Sequence, residues 1–116
     1  MKRQALFPQR IEGIRSPAMA SHDMLRMCRT ERDAVLASIT ISGLTYSEIG
    51  ARIGVSKQAV EKWARNGVPE ARMRAFTNAT GTRLVEQYHA LQEALRVAEG
   101  HIRERDHIAA IVRAAA

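Results

Sequence analysis

A short segment near the middle of the chain predicts a helix whose charged and amide side chains, which can form hydrogen bonds and ion pairs, lie on one side. At about 100° per residue, Lys57, Gln58, Glu61, Lys62 and Arg65 fall within an arc of about 140°. The opposite side is apolar and holds Ala59, Val60, Trp63 and Ala64. A helix of this kind buries its apolar side and presents cations and an amide outward, where they can reach phosphates and base edges.

The residues just before this segment predict a second helix. Thr45 and Glu48 have the spacing of a capping box, in which a hydroxyl and a carboxylate each satisfy a backbone N–H at a helix start. We therefore expect a helix over residues 46–53. Gly54 should end it, since glycine readily adopts the positive φ of a helix terminus.

The second helix is suited to pack closely against the polar-faced one. Ile49 and Ile53 point inward, and Gly50 has no side chain to hold a neighbouring helix away. Ser56 is placed to cap the polar-faced helix, and Asn66-Gly67 ends it. Two helices joined by a turn of three to four residues make a helix-turn-helix.

The residues of this motif resemble a known family. Residues 49–63, IGARIGVSKQAVEKW, look like the helix-turn-helix of phage Cro and repressor-like regulators. The next stretch is similar to the Trp-x-x-x-Gly-Ile/Val-Pro continuation of small Cro-like and antitoxin-like DNA binders. It consists of Trp63, then Asn66-Gly67-Val68-Pro69, Arg72 and Thr80-Gly81.

The resemblance covers residues 45–81, with two departures. Gly50 stands where the family usually has alanine. Residues 1–29 and the C-terminal helix have no counterpart, so the resemblance leaves assembly and biological role open.

The resemblance implies roles for individual side chains. Lys57, Gln58, Lys62 and Glu61 are expected to face base edges in the major groove. Phosphates are expected to be held by Tyr46, Ser56, Arg65 and Arg52. Glutamine can donate and accept toward adenine, lysine can donate to guanine, and glutamate can accept from cytosine. For Glu61 an intrahelical ion pair with Arg65, four residues on, is an equal alternative.

Helix signals on both sides place the motif in an all-α domain over residues 21–81. Thr30 is expected to cap a helix that ends at Gly43, and Ser21 a shorter one before it. Pro69 suits the first turn of a helix that Gly81 stops. That last helix should place its larger apolar residues, Met73 and Phe76, in the core.

The first 20 residues are expected to form a mobile basic arm, since Pro8, Gly13 and Pro17 interrupt any regular pattern. Basic residues of such an arm can enter a minor groove, or add only non-specific attraction to a polyanion. The residues concerned are Lys2, Arg3, Arg10 and Arg15.

Residues 82–116 predict one long C-terminal helix, or two helices hinged at Gly100. Apolar residues follow alternating steps of three and four, broken only by Arg105. The stripe consists of Leu84, Tyr88, Leu91, Leu95, Ala98, Ile102, Ala109 and Val112. It favours a homodimer, although a helix that folds back on its own domain would show a similar stripe.

Charge and composition limit the class of protein. The net charge of +6 and the pI near 10.4 favour a polyanionic partner. Residues 84–116 carry four Lys/Arg against five acids, so the positive charge is confined to the first two thirds. Low aromatic content and many Ala, Leu, Glu and Arg residues favour packed helices over a sheet.

Several classes lack support in the sequence. The single Cys28 makes no internal disulfide, no Cys/His spacing matches a zinc site, and no small-molecule ligand or cofactor is evident. No apolar run or signal sequence points to a membrane or to export, so we expect a cytoplasmic, nucleoid-associated protein. No catalytic grouping is recognisable, and we do not expect an enzyme.

The hypothesis that the sequence favours is a sequence-specific regulator of transcription that binds double-stranded DNA as a dimer, such as a phage or mobile-element repressor. One alternative is a small terminase-like DNA-packaging subunit, in which a helix-turn-helix precedes an oligomerising helix. Another is a protein-interaction module, either antitoxin-like or an adaptor for RNA polymerase.

Overall fold

The computed structural model describes residues 16–115, and within them the protein is all-helical, as the sequence predicts. Six helices are present in this part of the chain. They are α1 (His22–Met27), α2 (Glu31–Ser42), α3 (Tyr46–Ile53), α4 (Lys57–Asn66), α5 (Glu70–Thr80) and α6 (Leu84–Ala115). None of the helices described combines the length and apolar character needed to cross a membrane.

Side-chain caps fix where four of these helices begin. Ser21, Thr30 and Ser56 each accept a hydrogen bond from the backbone N–H three residues later. At α3 the capping box is complete: the Glu48 N–H donates to the Thr45 hydroxyl at 3.1 Å, and the Thr45 N–H donates to the Glu48 carboxylate at 2.8 Å. These local bonds explain why the sequence predicted the starts of these helices correctly.

The core lies between α2, α3, α4, α5 and the first turns of α6. Its central aromatic pair is Trp63 and Phe76, whose rings meet edge to face with centroids 6.3 Å apart. Phe76 is fully buried, and Met73 packs against the core while partly exposed. Pro69 is the N-cap of α5 rather than its first helical residue, and no side chain caps that helix.

The end of the predicted arm is attached to the domain. The Ala18 N–H donates to the Gly81 carbonyl at 3.0 Å, and the Arg83 N–H donates to the Ala18 carbonyl at 2.9 Å. The Gln87 side-chain amide accepts from the Ala20 N–H at 2.8 Å and donates to the Ala20 carbonyl at 3.1 Å. The prediction of an arm without fixed contacts is therefore wrong for residues 18–20. Lys2, Arg3, Arg10 and Arg15 lie outside the described residues.

The C-terminal helix α6 is continuous through Gly100, so of the two predicted alternatives one long helix is confirmed. Its first two turns belong to the core: Leu84 is fully buried, and Tyr88 is 9% exposed and donates its hydroxyl to the Arg29 carbonyl. Leu84 and Tyr88 are already buried by contacts within the same chain. Their assignment to a dimer seam is therefore wrong. The alternative in which α6 folds back on its own domain is therefore confirmed for the start of the helix.

The rest of α6 extends away from these contacts. Leu91 is half-buried, whereas Leu95 and Ile102 are 51% and 48% exposed. Every residue from 101 to 115 is exposed. The apolar stripe predicted from the sequence is thus divided. Its first part packs in the domain, and its second part is exposed to solvent.

Candidate nucleic-acid interface

Helix α4 is held to the domain by one side only. Val60 is fully buried, and Trp63 and Ala64 are 6% and 4% exposed. On the other side Lys57, Gln58, Lys62 and Arg65 are all exposed. The structure therefore places the cationic and amide side chains outward over an apolar back, which is the orientation that nucleic-acid contact requires.

The turn between α3 and α4 is organised around Gly50. Its carbonyl accepts hydrogen bonds from the N–H groups of Gly54, at 2.7 Å, and Val55, at 2.9 Å. A Cβ atom on Gly50 would lie 2.7 Å from the Val55 carbonyl oxygen, a distance that backbone atoms do not tolerate. The absence of a side chain lets the turn lie directly against α3. Glycine at position 50 thus has a physical reason in this chain.

The loop after α4 is held by Glu31, which lies in the first turn of α2. One Glu31 carboxylate oxygen accepts from the Val68 N–H at 3.0 Å. The same carboxylate lies so close to Gly67 that a Cβ there would clash, 2.5 Å from the nearest oxygen. Gly67 also has φ +96°, which L side chains rarely adopt. Glu31 therefore fixes the C-terminal end of α4.

A second element meets Glu31 from α6. The His89 Nε2 lies 3.2 Å from the Glu31 carboxylate, close enough for an ion pair when the imidazole is protonated, although the alignment does not make a hydrogen bond. Neither contact was predicted, because Glu31 and Val68 are 37 residues apart and no local pattern links them.

Glu61 has a different neighbour from the one considered in the sequence. Its carboxylate lies 3.9 Å from the Lys57 ammonium, one turn earlier, and its side chain is 36% exposed. The pairing with Arg65 is not the one found. An exposed pair at this distance is weak, so both side chains can exchange this contact for others.

The side chains expected to hold phosphates occupy varied positions. Ser56 is exposed, and its hydroxyl accepts the Ala59 N–H at 3.1 Å while its own proton stays available to donate. The Arg52 guanidinium donates to the Ala79 carbonyl at 3.3 Å, which ties α3 to the end of α5. Tyr46 is half-buried against the core.

Two titratable groups near these helices have shifted pKa values. The hydrogen bond from the Thr45 backbone N–H, with the Thr45 side chain beside it, holds the pKa of Glu48 below its usual range, because it favours the carboxylate. Burial, with Asp33 nearby, raises the pKa of the Cys28 thiol. The Glu48 carboxylate therefore belongs to the cap of α3.

Within residues 16–115, His, Cys, Asp and Glu side chains do not gather in threes as a bound metal would require. Comparison of the whole chain with protein-family models, with curated proteins and with solved structures gives no match.

Proposed function

We propose that the protein binds double-stranded DNA sequence-specifically, with α4 as the recognition helix in the major groove, and that it acts as a regulator of transcription. The proposal is for a binding protein and not for an enzyme. The observation that supports it is the orientation of α4, which buries Val60 and Trp63 in the domain and exposes its cationic and amide side chains.

The dimensions of α4 suit a groove. An α-helix with its side chains is about 10–12 Å across, and the major groove of B-DNA is about 12 Å wide, so this helix of 10 residues can enter it. Lys57 and Gln58 lie in the first turn, and Lys62 follows one turn later on the same side. In helix-turn-helix proteins the N-terminal residues of this helix contact base edges. These three residues are therefore assigned to base contact, with Glu61 beside Lys57 as an acceptor for cytosine.

Residues around α4 are assigned to the phosphates on each side. Arg65 is exposed at the far end of the helix, and Ser56 presents a hydroxyl at its start. Arg52 and Tyr46 on α3 complete the set. Such contacts fix the position of the helix in the groove and carry no sequence information themselves.

The experiment that tests the function is selection of bound sequences from a random double-stranded library. The wild-type protein is expected to enrich one short motif. Lys57→Ala, Gln58→Ala and Lys62→Ala should each relax preference at one or two positions, a loss of about 1–3 kcal/mol of discrimination. Arg103→Ala, on the exposed part of α6, is the matched control and should leave the motif unchanged.

Enrichment of no motif by the wild-type protein would contradict sequence-specific binding. Retention of the full motif by all three α4 variants would show that another surface reads the DNA. Either result removes α4 from the role of recognition helix.

The exposed apolar side chains of α6 also fit a second function, a DNA-packaging subunit that assembles into a ring. Both functions place DNA on the helix-turn-helix, and they differ in assembly. Light scattering that gives a ring of many subunits favours packaging, whereas a dimer with nanomolar affinity for one site favours regulation. A nucleoid-associated, cytoplasmic location is part of the regulatory proposal.

A further inference from the structure

The exposed part of α6 carries large apolar side chains that no other element of residues 16–115 covers. Leu95 is 51%, Ile102 48% and Val112 63% exposed. Three further apolar residues, Val97, Ile108 and Ile111, are 45–52% exposed on the same stretch. In proteins most of the stability of a helix comes from packing of its apolar face, so a surface that covers this side would stabilise α6.

These residues divide between a heptad seam and positions outside it. With Leu95 at position a, Ile102 and Ala109 are also a residues. The d positions are Leu91, Ala98, Arg105 and Val112. The seam spans three heptads, the length at which a repeat favours a coiled coil. Val97 and Ile111 fall at position c, away from the seam, and Gly100 falls at position f on the opposite side.

The charges beside the seam distinguish the two directions in which a second copy could pair. The e positions include the acids Glu99 and Asp106. In an antiparallel pair the e positions of the two helices face each other, so acid would oppose acid. In a parallel pair e faces g, which places Asp106 opposite His101 of the second copy and near the long side chain of its Arg105. Because the antiparallel pair sets acid against acid, the charges beside the seam favour the parallel arrangement.

We infer that residues 91–112 pair with the same residues of a second copy as a parallel, two-stranded coiled coil. This inference rests on the proposed function and names the partner of the DNA-binding unit. A parallel pair places both helix-turn-helix domains at the same end of the coiled coil. Two α4 helices at one end fit two half-sites on one DNA duplex, separated by one or more helical turns.

The seam is tested with two variants that introduce the same side chain. Ile102→Glu places a charge in the seam, whereas Ile111→Glu places it at position c, and the two isoleucines are 48% and 51% exposed. In sedimentation equilibrium without DNA, wild type and Ile111→Glu are expected to be dimers, and Ile102→Glu a monomer. Circular dichroism checks that each variant keeps its folded domain.

A monomeric wild-type protein, or an assembly larger than a dimer, would overturn the inference. So would equal loss of dimer in both variants, because a seam of defined register would not be present. Arg105→Leu gives a second measurement: it removes the one charged residue from the seam and is expected to lower the dissociation constant of the dimer at least tenfold.

The direction of pairing is tested with spin labels in a Cys28→Ser background. Arg96→Cys and Ala110→Cys occupy the same heptad position, two heptads apart. Electron–electron double resonance is expected to give similar, short distances between equivalent labels at both positions. Long distances at both positions would show an antiparallel pair and overturn the parallel arrangement.

These measurements separate this inference from the proposed function. A monomer that still enriches a motif through Lys57, Gln58 and Lys62 contradicts the inference alone. A parallel dimer that enriches no motif contradicts the proposed function alone.

Discussion

Gly50 shows how one missing side chain sets the position of α4. Because a Cβ there would lie 2.7 Å from the Val55 carbonyl oxygen, Gly50→Ala must move the backbone of the turn. We expect the variant to lose about 1–3 kcal/mol of unfolding free energy, as is typical when atoms are added to a packed site. Urea denaturation measures this loss.

Gly100→Ala is the matched control for that substitution. A Cβ on Gly100 meets no atom within 4 Å, and the residue lies inside α6. Replacement of a helical glycine with alanine should therefore raise stability by about 0.5–1 kcal/mol. If Gly50→Ala were as stable as the wild type, the close contact between α3 and the turn would not be a real constraint.

Glu48 makes the stability of the domain depend on pH. Its pKa in the folded protein is lowered, chiefly by the hydrogen bond from the Thr45 backbone N–H. A lowered pKa means that the carboxylate stabilises the folded state above the usual pKa of glutamate, and that this contribution is lost as pH falls through the folded-state value. Glu48→Gln removes this contribution, because a neutral amide does not titrate.

Melting temperatures of wild type and Glu48→Gln, measured from pH 7 downward, check this expectation. The wild type should be the more stable protein at neutral pH, and the difference should shrink as the solution becomes more acidic. A difference that grows toward low pH would contradict the direction of the shift. Thr45→Ala, which removes the hydroxyl of the cap, should reduce the same pH dependence.

At the scale of elements, Glu31 joins three parts of the fold: the start of α2, the loop after α4, and α6. Glu31→Ala leaves the N–H of the buried Val68 without its acceptor, and we expect a loss of about 1–3 kcal/mol in unfolding free energy. Glu99→Ala, on an exposed part of α6, is the control and should have little effect.

The same variant tests whether Glu31 fixes the end of α4. Amide hydrogen exchange should become faster at Gly67 and Val68 in Glu31→Ala, while α1 should keep its exchange rates. Faster exchange throughout the domain would show that Glu31 contributes only to global stability.

For the whole molecule, the uneven distribution of charge has a consequence for binding. Cations that replace counterions on phosphates make affinity fall with salt, so each lost phosphate contact lowers the slope of log K against log salt by about 1. Arg65→Ala is expected to lower this slope and to weaken all DNA sequences alike. Binding measured at several salt concentrations gives the slope directly.

Arg103→Ala removes an exposed arginine from α6 and should leave that slope unchanged. If both variants lowered the slope equally, the attraction would come from the total charge of +6 rather than from the surface around α4.

The helices and the two sides of α4 could be predicted from the sequence, because their signals are local. The Thr45 and Glu48 cap, the glycine at position 54 and the spacing of Val60 and Trp63 each act within one or two turns of helix. The same kind of reasoning predicted the all-helical fold, since periodicity and capping recur along the chain.

Tertiary structure alone decided which distant residues meet. Leu84 and Ile102 belong to one apolar stripe, yet the first is buried and the second half-exposed, because the domain ends between them. Likewise, the ties from Glu31 to Val68 and from Gln87 to Ala20 join residues 37 and 67 positions apart. Such contacts depend on how the helices pack together, and the residue pattern of a single helix does not predict that packing.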